Sequence, residues 1–194
     1  MHVFDLIEDN DNYYIITEVI RGGPVSKRLK KNGPFNEQKT VNIVSQIVMA
    51  LSYLHGMGIC HRDLKLENIM FTSDKSLDIK LIDFGFSSFF KGKNQMYIIL
   101  GSPLYMSPEL VNQSNYDQGV DIWALGVMTY LLLSGKYLFA APSCDEIHQN
   151  TLEKKISFDE PEFENITGLA KDFMMLCLER DPEKRSDINE LMSH

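Results

Sequence analysis

The residues of this sequence best suited to chemistry lie in one short stretch, residues 61–68, which reads HRDLKLEN. Asp63, Lys65 and Asn68 are close enough along the chain for one loop to present all three, and Asp83 follows. Transfer of a phosphoryl group needs an acceptor for the proton of the attacking hydroxyl, a cation beside the phosphate and oxygen ligands for magnesium. Asp63 could accept the proton, Lys65 could contact the phosphate, and Asn68 and Asp83 could bind the metal.

Each of these residues also has a simpler interpretation. Taken alone, Asp63 is better explained as a solvated loop acid, and a lone histidine such as His61 is more often structural than catalytic. The presence of Lys65, Asn68 and Asp83 around Asp63 reverses that preference. The combination favours a phosphoryl-transfer site.

Composition describes an acidic chain long enough to bury a core. Its 194 residues are 44% hydrophobic and 24% charged, which is ordinary for a globular protein. Nineteen basic residues stand against 27 acidic ones, a formal net charge of -8. This balance disfavours a nucleic-acid partner and fits a basic peptide, although excess acid more often serves solubility alone.

Other features of the sequence predict a cytoplasmic protein. Its three cysteines, Cys60, Cys144 and Cys177, are few and lack metal-ligand spacing, which fits a reducing compartment. The N-terminus has neither the basic start nor the apolar run of a signal peptide. The most apolar stretch, residues 122–133, is too short to span a bilayer, so no membrane span is expected.

Turn and capping signals indicate the elements that hold these residues. Residues 2–7 and 13–20 are rich in strand formers and flank a polar turn, which predicts a hairpin. Asn36 is predicted to cap a helix that ends near Gly56 and packs one apolar stripe, beginning at Val41, into the core.

Two further elements follow the stretch of chemical residues. Residues 69–71 and 79–82 predict a second, shorter hairpin around a polar turn. Residues 122–133 are apolar on nearly every face, which predicts a helix in the middle of the domain, with Asp121 as its N-cap.

Four motifs in order resemble the C-terminal lobe of a eukaryotic Ser/Thr protein kinase. They are HRDLKLEN at residues 61–68, DFG at 83–85, SPE at 107–109 and DIWALG at 121–126. The resemblance implies an α+β, protein kinase-like fold. A mainly α-helical C-lobe would carry a β-hairpin from the N-lobe and small β-hairpins at the catalytic cleft.

Three further stretches are most similar to calcium/calmodulin-regulated kinases, especially calcium-dependent protein kinases. They are the turn at residues 10–12 before Tyr13 and Tyr14, the pair at 158–159 and AKDF at 170–173. No EF-hand pattern occurs in the sequence, so a calcium-sensing regulatory segment would lie outside this chain.

The resemblance implies ATP and Mg²⁺ as cofactors and a protein or peptide as substrate. Thr17 falls at the gatekeeper position, and residues 18–20, from Glu18 to Ile20, fall at the hinge whose backbone would bind adenine. Met70 would lie under the adenine ring, although a core methionine would look the same. Asp63 would be the catalytic base, Lys65 the phosphate contact, and Asn68 and Asp83 the magnesium ligands.

A second set of residues would support the site. They are His61, Arg62, Phe84, Gly85, Glu109, Asp121 and Arg185. By the resemblance, His61 packs against Phe84, Arg62 gathers a phosphate or acid from the activation segment, and Glu109 pairs with Arg185. Asp121 would brace the backbone of the catalytic loop.

The activation segment, residues 83–109, departs from the usual pattern. Apart from Ser107 in the SPE motif, its hydroxyl residues are Ser87, Ser88, Tyr97, Ser102 and Tyr105. A phosphate on one of them could pair with Arg62 and order the segment. Ser102 stands where the family usually has threonine, a residue that contacts the catalytic Asp and Lys, and is therefore not expected to be a phosphorylation site. Pro24 stands where many members carry an acid.

The front of the chain departs further. Residues 1–20 would be the remaining N-lobe strands and hinge, and residues 21–194 the C-lobe, without the glycine-rich loop, strand lysine and helix glutamate. The expectation is therefore a kinase fragment with little activity alone. The rival interpretations are a pseudokinase that serves as a scaffold and, more weakly, a kinase-like fold acting on a small molecule.

Overall fold

A computed structural model describes residues 1–90 and 101–194. It begins with an antiparallel hairpin of β1 (Val3–Glu8) and β2 (Tyr13–Thr17). The Asp9 carboxylate accepts the backbone N–H groups of Asp11 and Asn12 at 2.9 and 2.8 Å, which closes the turn. The predicted hairpin is thus present, with its second strand ending at Thr17. Apolar side chains on both of its faces are exposed, for example Tyr13 by 72% on one face and Ile7 by 49% on the other.

The rest of the described chain is mainly helical. Its α-helices are α1 (Val25–Asn32), α2 (Glu37–Gly56), α3 (Pro108–Val111), α4 (Gly119–Ser134), α5 (Cys144–Glu153), α6 (Gly168–Cys177) and α7 (Ile188–Met192). None of the helices in the described ranges is long and apolar enough to cross a membrane.

Helix α2 forms where its capping signal predicts it. The Asn36 side chain accepts the backbone N–H of Lys39 at 3.0 Å, and the helix ends at Gly56. Ile43, Ile47 and Leu51 face the core. Val41 was predicted on this stripe but is half exposed. It lies in the first turns of α2, beside an open groove that this helix shares with α6 and α7.

Helix α4 is the centre of the core and packs against α2 and α6. Trp123 is fully buried and stacks on Phe139, with ring centroids 5.6 Å apart and planes 10° from parallel. At Gly126 a Cβ would lie 2.7 Å from the Cβ of Cys177, so the glycine allows α4 and α6 to approach closely. The prediction of a buried central helix is confirmed by this packing.

The prediction that Asp121 caps this helix is wrong. Helix α4 begins earlier, at Gly119, with Gln118 as its N-cap and no side-chain cap bond. Asp121 lies inside the first turn, and its carboxylate accepts hydrogen bonds from the backbone of residues 61 and 62 instead. The Asp121 carboxylate therefore accepts hydrogen bonds from a loop distant in sequence and not from the first turn of α4.

Two small antiparallel strand pairs frame the loop of residues 61–68. Strand β3 (Ile59–Cys60) leads into the loop and pairs with β6 (Ser88–Phe89). Strand β4 (Ile69–Phe71) follows the loop and pairs with β5 (Ile79–Leu81), which forms the predicted second hairpin. Strand β5 ends just before Asp83. Both ends of the loop are therefore fixed by strand pairing.

Candidate active site

Asp63 lies at the centre of a small polar network. Its side chain is buried, and its Oδ2 accepts hydrogen bonds from Lys65 Nζ at 2.6 Å and Asn68 Nδ2 at 3.1 Å. The Ser102 hydroxyl lies 3.4 Å from Asp63 Oδ1 and receives a hydrogen bond from Lys65 Nζ at 3.1 Å. The loop therefore brings Asp63, Lys65 and Asn68 together, and Ser102 joins them from the segment after residue 100.

Asn68 is held so that its amide oxygen stays available. Its Nδ2 donates to the Asp63 carbonyl at 2.9 Å as well as to the Asp63 carboxylate. Because an amide nitrogen has two hydrogens, these two bonds use its donors and leave Oδ1 as an acceptor or ligand. The loop backbone itself thus sets the orientation of the Asn68 side chain.

Asp83 is placed beside Asn68 through the backbone. Ile82 donates its N–H to the Asn68 carbonyl at 2.9 Å, so the next residue starts next to the loop. Asp83 has a left-handed backbone (φ 61°), and its exposed carboxylate accepts the Gly85 N–H at 3.2 Å. Left-handed backbone is costly for a residue other than glycine and is common at functional sites.

The oxygen donors of Asn68 and Asp83 fit a magnesium ion. Mg²⁺ prefers oxygen ligands and is usually held by one or two protein groups, with water and substrate phosphates completing its shell. In residues 1–90 and 101–194, no group of three or more His, Cys, Asp or Glu side chains could hold a metal. With their two oxygen donors, Asn68 and Asp83 fit a metal that arrives with a phosphate ligand.

Asp121 fixes the start of the loop of residues 61–68. Its carboxylate accepts the N–H groups of His61 and Arg62 at 2.8 and 2.9 Å, and it also contacts His55 Nε2 at 3.0 Å. Burial alone would raise the pKa of Asp121, but the hydrogen bonds from His55 and the His61 backbone lower it below the ordinary value. An ionised carboxylate at this position supports the left-handed conformation of Arg62 (φ 68°).

His61 and Arg62 turn toward the segment after Asp83. The His61 ring meets the Phe84 ring edge to face, with centroids 5.0 Å apart, and its Nε2 lies 3.2 Å from the Ile82 carbonyl oxygen. Arg62 donates from Nε to the Phe86 carbonyl at 2.5 Å and from Nη1 to the Tyr116 hydroxyl at 3.3 Å. Tyr97, one of the candidate phosphorylation sites, lies outside the described residues.

Glu109 and Arg185 form a buried, bidentate ion pair behind the site. Arg185 Nη1 and Nη2 donate to the two oxygens of Glu109 at 2.6 and 2.9 Å. The guanidinium also donates to the carbonyls of Glu179 and Gly119, at 2.8 and 3.0 Å. The pair therefore ties the chain around residue 109 to the start of α4 and to the segment before α7.

The residues predicted to bind nucleotide lie where the hairpin joins the helical body. The Thr17 hydroxyl donates to the Glu18 carbonyl at 3.3 Å, and Ile20 is half-buried. Met70 lies on β4, where it forms an isolated bridge with Pro24. The backbones of these two segments touch, because a Cβ on Gly22 would lie 2.4 Å from the Phe71 carbonyl oxygen.

Sequence reasoning missed three residues of this region. His55 contacts Asp121, Tyr116 contacts Arg62, and Lys80 contacts Glu18, across sequence separations of 66, 54 and 62 residues. Each is a common residue type in an ordinary local context. No spacing or composition signal in the sequence distinguishes them.

Comparison with known proteins matches the whole chain to one family. The family model described as "Protein kinase domain" matches residues 1–194. A calcium/calmodulin-dependent protein kinase type I of Schizosaccharomyces pombe is 39% identical over all of this chain, which covers 59% of that protein. A probable myosin light chain kinase of Dictyostelium discoideum is 37% identical, and CDPK-related kinase 5 of Arabidopsis thaliana is 36% identical. This chain matches each of these two over its full length and covers 50% and 32% of them.

Proposed function

This chain belongs to the protein kinase domain family, and from that premise we propose that the protein transfers the γ-phosphoryl group of ATP to serine or threonine hydroxyls of protein substrates. The chain spans about half the length of the first relatives it matches, so this activity is proposed for the whole protein. The observation that carries the proposal is the network of Asp63, Lys65, Asn68 and Ser102, in which a buried carboxylate faces a lysine.

Asp63 is suited to receive the proton of the attacking hydroxyl. Its Oδ2 is held by Lys65 and Asn68, so the carboxylate has a fixed orientation, while Oδ1 has the longer contact to Ser102. A general base must be held within hydrogen-bond reach of the proton that it accepts. Lys65, already placed between Asp63 and Ser102, would contact the transferred phosphate and balance its charge.

ATP and Mg²⁺ are the cofactors that this arrangement fits. Asn68 Oδ1 and the Asp83 carboxylate would hold the metal, which would neutralise charge on the phosphates. The backbone from Glu18 to Ile20 and the side chain of Met70 would bind the adenine ring. Thr17 would set the depth of that part of the cleft.

Calcium regulation and a cytoplasmic location are finer parts of the same proposal. One relative is by name a calcium/calmodulin-dependent protein kinase. We propose that a calcium-sensing partner or segment outside this chain controls the kinase. The thiols of Cys60, Cys144 and Cys177 are all unpaired, which fits a reducing compartment.

The test is phosphate transfer from Mg-ATP to serine- and threonine-containing peptides by the natural full-length protein. Asp63→Asn should lower kcat by at least about a hundredfold, because it removes the base, while leaving the melting temperature nearly unchanged. Asp74→Asn, in the exposed turn between β4 and β5, is the matched control and should retain full activity. Unchanged turnover in Asp63→Asn would remove the base assignment. A wild-type protein that binds no nucleotide would instead favour the scaffold interpretation.

A further inference from the structure

Glu18 joins the exposed hairpin to the helical body. Its Oε1 accepts the backbone N–H of His2 at 2.6 Å, and the Glu18 N–H donates to the His2 carbonyl at 3.0 Å. Its other oxygen, Oε2, forms an ion pair with Lys80 Nζ. Among the described residues, this ion pair is the only side-chain hydrogen bond between residues 1–20 and the later part of the chain.

Lys80 connects the hairpin to Met70, the residue that would lie under the adenine ring and form the floor of the proposed nucleotide site. It lies on β5 directly opposite Met70 on β4. Opposed residues of an antiparallel pair project on the same face, so the Lys80 and Met70 side chains are neighbours. Met70 in turn bridges to Pro24, just beyond the segment of residues 18–20.

The backbone on either side of this ion pair is also coupled. Gly22 donates its N–H to the Phe71 carbonyl at 3.1 Å, and Phe71 donates its N–H to the Gly23 carbonyl at 2.9 Å. These bonds hold the segment after the hinge against β4. The Glu18–Lys80 pair and the two backbone bonds therefore hold residues 18–23 against the β4–β5 hairpin at neighbouring points, the first at β5 and the others at β4.

From this geometry we infer that Glu18 and Lys80 are a pair of positioning residues that set the spacing between the hinge backbone and the Met70 floor. This inference rests on the proposed function in one respect, because the gap between these segments is where the adenine ring would bind. Neither residue is assigned a contact with nucleotide through its side chain.

The pair is partly shielded from water. The side chains of Lys80 and Glu18 are 34% and 24% exposed, so the pair is neither buried nor fully solvated. The hydrogen bond from Lys80, followed by that from the His2 backbone, lowers the pKa of Glu18. Glu18 is therefore ionised, and the ion pair present, across the neutral range. Partly exposed ion pairs of this kind contribute little to the overall stability of a protein. The effect of this pair should therefore be measured at single amides close to it.

The first test is amide hydrogen exchange by NMR on this chain without nucleotide. Lys80→Met and Glu18→Gln should each speed exchange of the Gly22 and Phe71 amides by about two- to fivefold. The Leu131 amide, inside α4, should not change. Lys75→Met, in the exposed turn of the same hairpin, removes one positive charge without touching Glu18 and is the matched control.

The double variant Glu18→Gln/Lys80→Met decides whether the two residues act together. If they act as a pair, the double variant exchanges no faster than either single variant, because the interaction is already lost. Effects that add, or Gly22 and Phe71 rates equal to those of the wild type, would overturn the inference.

A second measurement separates this inference from the proposed function. In the natural full-length protein, Lys80→Met should raise the KM for ATP by about two- to fivefold with little change in kcat, since the interaction affects binding of the ground state. If the wild type transfers no phosphate but the exchange result holds, the pair stands and the kinase proposal fails. If wild-type activity is normal and both exchange and KM are unaffected by Lys80→Met, the pair has no positioning role.

Discussion

Arg185 forms two parallel hydrogen bonds to the carboxylate of Glu109, 2.6 and 2.9 Å long, in the interior of the domain. The Arg185 guanidinium also lies over the Trp123 ring, 5.2 Å from its centroid. The residues come from segments far apart in sequence and meet at the end of the central helix α4. This pair is a junction between the segment that ends at α3, the central helix and the C-terminal helices.

Glu109→Gln should destabilise the protein by about 3–5 kcal/mol, because it leaves the Arg185 charge buried without its counter-charge. Urea denaturation followed by circular dichroism would measure the loss. Lys184→Met is the control, since Lys184 forms a salt bridge with Asp181 but its side chain is 74% exposed. That variant should leave the denaturation midpoint unchanged. A midpoint for Glu109→Gln close to that of Lys184→Met would contradict the buried pair.

Asp121→Asn should make stability less dependent on pH in acid. The folded-state pKa of Asp121 lies below its ordinary value of 3.8, so its charge stabilises the native state above that pH. This contribution is lost as pH falls through the folded-state pKa. The free energies of unfolding of wild type and variant should therefore differ most at neutral pH and converge below pH 3.8.

Urea titrations at several pH values from neutral to acid would measure this convergence. Asp78→Asn, an exposed acid before β5, serves as the comparison and should track the wild type throughout. A constant gap between wild type and Asp121→Asn at every pH would show that loss of shape, and not loss of charge, causes the destabilisation.

Ser107→Ala should stabilise the protein by about 1 kcal/mol. The Ser107 side chain is fully buried, and its hydroxyl has no hydrogen-bond partner among the residues that the structure describes. Burying a hydroxyl without a partner costs free energy that alanine would avoid. Thermal denaturation would show a higher melting temperature.

Ser134→Ala is the matched change in the opposite direction. Its buried hydroxyl donates to the Tyr130 carbonyl at 2.8 Å and accepts the Lys136 N–H at 3.1 Å. Its removal should therefore destabilise the protein by about 1 kcal/mol or more. If both serine variants lose stability alike, the Ser107 hydroxyl has a partner in solution.

Cys144 should be the thiol that reacts in the native state. It is exposed at the start of α5, with its Sγ 3.6 Å from His148 Nε2. Cys60 and Cys177 are fully buried, and burial raises the pKa of both thiols. A chromogenic disulfide reagent should modify Cys144 quickly and the other two only after unfolding.

Cys144→Ser should abolish the fast phase of this reaction and leave the slow phase intact. Mass spectrometry of digested protein would assign the modified residues. Rapid modification of Cys177 in the folded protein would mean that the contact between α4 and α6 opens easily.

Much of the local structure could be predicted because its signals are local. The polar turn before Tyr13, the cap at Asn36 and the apolar run of α4 each occupy neighbouring positions, and each predicted its element. The family followed from the order of short motifs and was confirmed by the match to the whole chain. The catalytic and nucleotide-binding roles assigned to individual residues remain predictions.

The sequence by itself therefore determined the elements, the family and the stretch that carries the chemistry. The resemblance already pointed to a contact of Asp121 with the loop backbone and of Ser102 with Lys65 and Asp63. Only the tertiary structure decided that Asp121 does not cap α4, that His55 contacts Asp121 and that Lys80 reaches Glu18. These contacts join residues far apart along the chain. Propensity and periodicity depend on near neighbours, whereas the partner of a buried carboxylate depends on which distant backbone the packed core brings within hydrogen-bond reach.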